Sequence, residues 1–216
     1  MKNHIIISIL IAIALASCRP VTPEPEYNYN YGEQLEKVRN QMTRGHSAEA
    51  EVDKKILEAV TQLAATLEPE YKKKYRRKRY KLGFIEMSDT YRRKVGMLHK
   101  YVTEKAVTFT FLQPDIVKNF NIGERFLLQQ IMKSACINDR DCYYPTVDLT
   151  LAKWLGNNYN VDIVETGVIT ESPDFLDINL RLIETGSPRV IAVGSSKIEK
   201  TKLIEKWLCE IGTVCW

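Results

Sequence analysis

Histidine is scarce in this chain. There are three in 216 residues, at positions 4, 46 and 99. They form no HxxxH or HExxH pair, so a zinc hydrolase has no ligand set. The CxxC redox pair is also absent. "VGSSK" (193–197) lacks the second glycine of a serine-hydrolase elbow. "GSPRVIAVGSSK" (186–197) ends without the Gly-Lys-Ser/Thr of a phosphate loop and reads as a turn and strand. Asp139 and Asp141 lie close together, with too few neighbouring donors for a calcium loop. No apolar run after residue 18 approaches the roughly 20 residues a spanning helix needs. The formal net charge of +4 is too small to imply nucleic acid. No catalytic residue, metal site or enzymatic activity is therefore expected.

The N-terminus carries the strongest signal. "MKNHIIISILIAIALAS" places one lysine before the apolar stretch 5–16. That stretch has the length of a secretory h-region and is too short to span a bilayer. Leu15, Ala16 and Ser17 then precede Cys18, which resembles the bacterial lipobox, where a small residue precedes the cysteine that becomes acylated. The alternative is an ordinary secretory signal cut elsewhere. Residues 1–17 are thus expected to be a lipoprotein signal peptide. Cys18 is expected to carry diacylglycerol and a further acyl chain, the only lipid group and the only cofactor-like moiety implied. Two signals suffice for stable anchoring. Residues 18–32, with three prolines in "RPVTPEPEYNYNYG", read as a lipidated tether.

With Cys18 assigned to lipid, four of the five cysteines remain. Cys136 and Cys142 bracket "INDRD"; Cys209 and Cys215 bracket "EIGTV". In an exported protein disulfides persist, and two local bridges are the simplest connectivity. Three connectivities exist for four cysteines. A metal site would need reduced thiolates, at a spacing wider than the usual knuckle.

Periodicity sets the rest. Leu35, Val38 and Met42 mark a helix over 33–44. Val52, Ile56, Val60, Leu63 and Leu67 mark a stronger one from Ser47 to near Pro69. Residues 82–89 read as a buried strand running into a polar turn, Val95, Leu98, Val102, Ala106 and Phe109 mark the helix that follows, 115–122 read as a strand and 123–135 as a helix. Asp148 can cap a helix through Leu155 that Gly156 and Asn157 end. Strand signals follow at 161–170, 176–183 and 189–198, the last two joined by the turn 184–188, and a final helix carries Leu203, Ile204, Trp207 and Leu208. Early strands separated by helices imply parallel pairing, and late consecutive strands imply an antiparallel meander. The expected class is α/β (α+β): one mixed sheet with helices packed on it.

"YKKKYRRKRYK" (71–81) holds eight bases and no acid. Two readings stand: a solvated connector whose tyrosines pack, or contact with an anionic surface through Lys72, Lys73, Lys74, Arg76, Arg77, Lys78 and Arg79. Outside this run the chain is net negative.

"YKLGFIEMSDTYRRKVGMLHKYVTEKAV" (80–107), with Leu98, Tyr101 and Glu104, resembles the opening of the CsgG/FlgO/LpoB bacterial lipoprotein superfamily. "IVKNFNIGERFLLQQIMK" (116–133), with Glu124, Arg125 and Leu128, resembles its strand, Glu-Arg pair and leucine helix. Residues 158–198 resemble its closing strands. The resemblance covers roughly 80–198. It implies a compact α/β fold like the N-terminal domain of TolB, within a domain 80–216 preceded by a helical and basic segment 33–79. It also implies a non-catalytic protein anchored to the outer membrane and facing the periplasm. Its partners would be envelope proteins, with a homo-oligomer among them. The expected role is a scaffold or assembly factor for a flagellar or secretion-type machine; the alternative is an LpoB-like activator of a cell-wall synthase. Glu124 and Arg125 are either a partner contact or a helix-start carboxylate beside a surface arginine. No pair of alternating extensions of about ten residues exists to build a pore.

Overall fold

The computed structural model describes residues 30–44, 47–72, 79–89, 97–122 and 149–209. Helix α1 (Tyr31–Arg44) begins two residues before the apolar spacing implies. Ser47 caps helix α2 (Ala48–Thr66), its hydroxyl accepting from the Ala50 amide at 3.1 Å. That satisfies one of the amides a helix start leaves orphaned. A 3-10 turn (Pro69–Lys72) follows. Strands β1 (Tyr80–Phe84) and β2 (Ser88–Asp89) lead to helix α3 (Met97–Thr110). Then come the short helix α4 (Pro114–Val117), β3 (Phe120–Ile122) and helix α5 (Leu149–Tyr159). Strands β4 (Ile163–Glu171), β5 (Phe175–Glu184) and β6 (Arg189–Glu199) and helix α6 (Lys202–Cys209) complete the order.

The strands make one mixed sheet in the order β3-β1-β4-β5-β6, with β2 beside β4. β1 runs parallel to β3 and β4, and β4-β5-β6 is an antiparallel meander. β1 and β2 are one strand with an irregularity. Phe84 pairs with Glu165 but Ser88 with Val168, so the first strand spends one extra residue, as in a bulge. The Met87 amide inside that irregularity donates to the Thr103 hydroxyl of α3 at 3.1 Å, so it is not orphaned.

Each sheet face has its own apolar cluster. On one face Val52, Ile56, Val60 and Leu63 of α2 and Leu98, Val102 and Phe109 of α3 meet Leu82, Phe84, Ile178, Leu180 and Leu182. Full burial of such a side chain stabilises by about 1.5–3 kcal/mol. On the other face Ala152 and Leu155 of α5 cover Ile85, Val164 and Ile183. Tyr101 of α3 donates to Asp53 of α2 at 2.7 Å, and its ring lies 4.7 Å from that of Trp207, which seats α6 against α3.

α2 lies directly on edge strand β6. A Cβ on Gly194 would stand 2.0 Å from the Ala59 carbonyl and 2.7 Å from the Leu63 amide. Along the free edge, the Val193 amide donates to Thr66 Oγ1 at 3.0 Å and the Ser195 amide to Gln62 Oε1 at 2.7 Å. The Thr66 hydroxyl donates to the Val193 carbonyl at 2.5 Å, and the Glu68 amide to the Ile191 carbonyl at 3.1 Å. Helix side chains thus occupy an edge that would otherwise template another strand.

Two expectations are corrected. The segment 115–122 is not one strand: Pro114 opens the four-residue helix α4, and only Phe120–Ile122 is extended. Proline fits a first helical turn because its missing N–H is not needed there. Helix α5 does not end at Gly156 and Asn157 but runs to Tyr159. Asn160, at φ 53°, takes the left-handed position after it, a role asparagine tolerates. Gly156 is a packing residue: a Cβ there would meet Thr185 Oγ1 at 2.5 Å. The expected helix 123–135 and the capping residue Asp148 lie outside the described residues.

Gly194→Val is expected to destabilise the protein by about 2–4 kcal/mol, because the obstruction is helix backbone that no rotamer change relieves. Urea unfolding followed by circular dichroism measures it. A midpoint equal to that of the parent protein would refute direct seating of α2 on β6.

Candidate functional site

The two ends of the basic run meet at one cluster of aromatic rings. Tyr71 is buried, and its ring centroid lies 5.0 Å from that of Tyr80, which lies 5.9 Å from Phe120 of β3. The pairs are tilted, at 43° and 34°, and such aromatic pairs add roughly 0.5–1.5 kcal/mol beyond their area. Lys72 and Arg79 are therefore held as neighbours at the end of the sheet where β1 and β3 begin. Lys72 is half-buried, with Nζ donating to the Ala65 carbonyl at 2.9 Å; Arg79 is exposed.

Beneath them sits a charged cluster. Arg189 Nη1 donates to both oxygens of Glu68, at 2.8 and 2.6 Å. Its Nη2 donates to Glu70 and to the Tyr71 hydroxyl, and its Nε to Glu184 at 3.2 Å. The Tyr71 hydroxyl donates to the other Glu184 oxygen at 2.7 Å. Bidentate contact to a carboxylate is the geometry arginine provides and lysine does not. Partial burial pushes the Glu184 carboxyl up, but hydrogen bonds from Ser187, Tyr71 and Arg189 and the arginine charge outweigh it and hold the group below the usual range. Burial, then the Glu184 contact, pushes the Tyr71 phenol upward. The cluster ties the 3-10 turn to the β5–β6 turn.

A second polar group lies in the core. Glu165 of β4 is 3% exposed, with Thr110 donating to Oε1 at 3.1 Å and no hydrogen-bond partner for Oε2. Burial pushes its carboxyl up to about 8, against a small opposing effect of Thr110. A carboxylic acid in an apolar site stays protonated because its charge cannot be solvated. Sequence marks it only as one acid inside an apolar strand.

A groove of about 540 Å³ runs between α1 and α2, over Met42, Leu57 and Ala65, with Arg39, Lys54 and Glu58 among its lining residues. Among the described residues no group of three or more His, Cys, Asp or Glu is placed to hold a metal. Among them, too, no helix is long and apolar enough to cross a membrane.

Of the residues singled out from sequence, Lys72 and Arg79 are brought together. Lys73, Lys74, Arg76, Arg77 and Lys78 lie outside the described residues, as do Cys18, Cys136, Cys142, Cys215, Glu124 and Arg125. Cys209 is the last residue of α6, and its side chain lies outside the description. The Arg189 cluster escaped the sequence reading. Glu184 and Arg189 straddle a turn, which hints at a cross-strand pair, but nothing links them to Glu68 and Glu70 more than a hundred residues away.

No family model matches the chain, and no curated protein matches it. Among solved structures it is similar to the LpoB C-terminal domain from Escherichia coli, at 10% identity and a TM-score of 0.45, over 69% of this chain and 98% of that one. The LpoB C-terminal domain from Salmonella enterica gives 11% and 0.42, over 65% of this chain and 97% of that one. Lipoprotein GNA1162 from Neisseria meningitidis gives 12% and 0.35, over 63% of this chain and 99% of that one. These likenesses concern the arrangement of strands and helices and nothing beyond it.

Glu165→Gln is expected to flatten the pH dependence of stability. The native carboxyl keeps its proton up to about pH 8, whereas the unfolded one releases it near its ordinary value of 4.5. Native protein therefore binds more protons between those limits, and stability falls as pH rises through that window. The loss by pH 8 is on the order of a few kcal/mol, and the neutral amide removes it. Denaturant midpoints at pH 5 and pH 8 check this; parallel pH profiles of the two proteins would contradict a buried protonated carboxyl.

Proposed function

We propose that the chain is a non-catalytic, lipid-anchored protein of the bacterial envelope that works through protein–protein contacts. The observation that carries this reading is the joining, in one chain, of a lipobox-like stretch ending at Cys18 to the mixed-sheet domain that the superfamily resemblance implies. In its finer form the protein is held at the outer membrane, faces the periplasm, and serves as a scaffold or assembly factor for a flagellar or secretion-type machine. The local bridges Cys136–Cys142 and Cys209–Cys215 belong to the same reading, because export supplies the oxidising space they need. The second reading is an LpoB-like activator of a cell-wall synthase. It is kept because the resemblance over residues 80–107 and 116–133 is to a superfamily that includes such an activator. The short stretch between Cys18 and Tyr31 favours the scaffold, because an activator that crosses the wall needs a longer reach.

Three measurements divide these readings. Intact mass of the membrane-extracted protein is expected to show loss of residues 1–17 and a lipid adduct on Cys18; a full-length, unmodified chain would refute the anchor. Light scattering of the chain from Tyr31 onward is expected to give a stable oligomer for the scaffold. A monomer that crosslinks to a synthase in intact envelopes would establish the activator instead.

A further inference from the structure

We propose that the corner between α3 and α4 is a proton-operated latch: with the Glu165 carboxyl neutral the corner lies shut on the sheet, and release of that proton opens residues 110–113 while the strands stay paired. The inference is independent of the anchored reading above.

Glu165 and the groups over it form a closed circuit. Phe84 of β1 is its register partner on the neighbouring parallel strand, so the two side chains share a face of the sheet. The Phe111 ring stacks on that of Phe84, with centroids 6.1 Å apart. Phe111 follows Thr110, the last residue of α3, whose hydroxyl donates to Glu165 Oε1 at 3.1 Å. The end of α3 thus closes on the acid from both sides of one peptide bond.

The shut corner leaves polar groups wanting. Among the described residues, Glu165 Oε2 and Gln113 Nε2 are buried atoms without a hydrogen-bond partner. Gln113 belongs to this corner, its amide donating to the Thr110 carbonyl at 3.1 Å. It stands at the N-cap of α4, yet its side chain does not cap that helix. A buried polar atom without a partner costs free energy that water would return. A neutral carboxyl bears this with one hydroxyl. A carboxylate needs more donors than the shut corner offers, and charge buried without them is costly.

The strand under Glu165 is firmly held and the corner is not. The Glu165 carbonyl accepts from the Ile85 amide at 3.0 Å, and the residue pairs with Leu182 of β5 on its other side. Phe111, by contrast, is 42% exposed. Beyond it lie only the four residues of α4 and the three of β3, an edge strand. About two turns back in α3, the Thr103 hydroxyl holds the Met87 amide, so the helix can stay seated while its end lifts. Segments so thinly held open at free energies below that of global unfolding.

No other charge operates the latch. On α3, Lys105 is paired with Asp53 of α2, Glu104 is exposed, and His99 is buried about three turns before Thr110. Lys81 on β1, Arg181 on β5, Asp115 on α4 and Lys118 after it are exposed; Glu86 follows β1, and Glu184 of β5 is bound to Arg189. None of these influences the Glu165 carboxyl, on which burial and the Thr110 hydroxyl act. Shut, the group holds its proton up to about pH 8; open, it returns to its ordinary value of 4.5. The open corner therefore binds fewer protons between those limits, and opening grows as pH rises through that window and levels off above it.

Hydrogen exchange of the full chain, read by mass spectrometry beside Glu165→Gln at each pH, tests the latch. Amides of residues 111–119 are expected to exchange at least about tenfold faster than those of β5 and β6, and to respond little to low urea, because a local opening exposes little surface. Their opening constant relative to the variant is expected to rise about tenfold per pH unit between about pH 5.5 and 7.5. Glu165→Met repeats the comparison without an amide. Thr110→Val keeps the acid but removes the donor that favours its charged form, so its rise is expected to extend above pH 8. Amides of α6 are expected to match between parent and variant at every pH. A parent-to-variant ratio at the corner that does not change with pH overturns the proposal. Corner amides that exchange at the rate of β5 and β6, with the same urea response, overturn it too, because the proton would then be linked to unfolding of the whole domain. Opening confined to residues 85–89 would place the weakness in the strand irregularity and also refute the latch.

Discussion

The fold depends on how closely α2 approaches β6. Gly194 admits the backbone of Ala59 and Leu63 to a distance that a methyl group would fill, and the helix can then set Gln62 and Thr66 against the strand's open side. Two needs are met by one placement. The apolar face of α2 is buried on the sheet, and the backbone groups that an edge strand exposes are satisfied by side chains rather than by a neighbouring molecule. α2 also fixes the direction of what flanks it, with α1 on one side and the 3-10 turn on the other.

That turn is where packing passes into electrostatics. The chain leaves α2 at Leu67 and immediately presents Glu68, Glu70 and Tyr71 to Arg189 at the start of β6. A guanidinium with five donors in a fixed fork can hold three carboxylates and a phenol where an ammonium cannot. The cluster is partly exposed, so its worth in stability is modest. Its worth in position is larger: it sets the root of the basic run between two aromatic rings, at a defined end of the sheet.

The elements legible in sequence are those whose burial repeats with their own period. The four-, four-, three- and four-residue steps from Val52 to Leu67 describe one face of α2, and the alternation from Leu176 to Leu182 describes β5 with its core side correctly assigned. What escaped was set by tertiary partners. Val117 and Ile116 looked strand-like until Pro114 turned them into a helical turn. Gly156 looked like a helix stop but makes room for Thr185. At the candidate site, the charge and the tyrosines of 71–81 were legible, but the Arg189 cluster was not, because its members are separated by more than a hundred residues and joined only by the fold.

Glu165 follows the opposite logic to Arg189. One polar group is solvated by partners brought from afar; the other is left with a single hydroxyl and keeps its proton. The buried acid lies on β4, mid-sheet, where Phe84 pairs with it and Phe111 stacks on Phe84 at 6.1 Å. Protonated, it acts as one more neutral core residue, and the sheet tolerates it at neutral pH. Charge is handled differently in the two places: Glu165 is neutral on the central strand β4, and three carboxylates gather on Arg189 beside the β5–β6 turn.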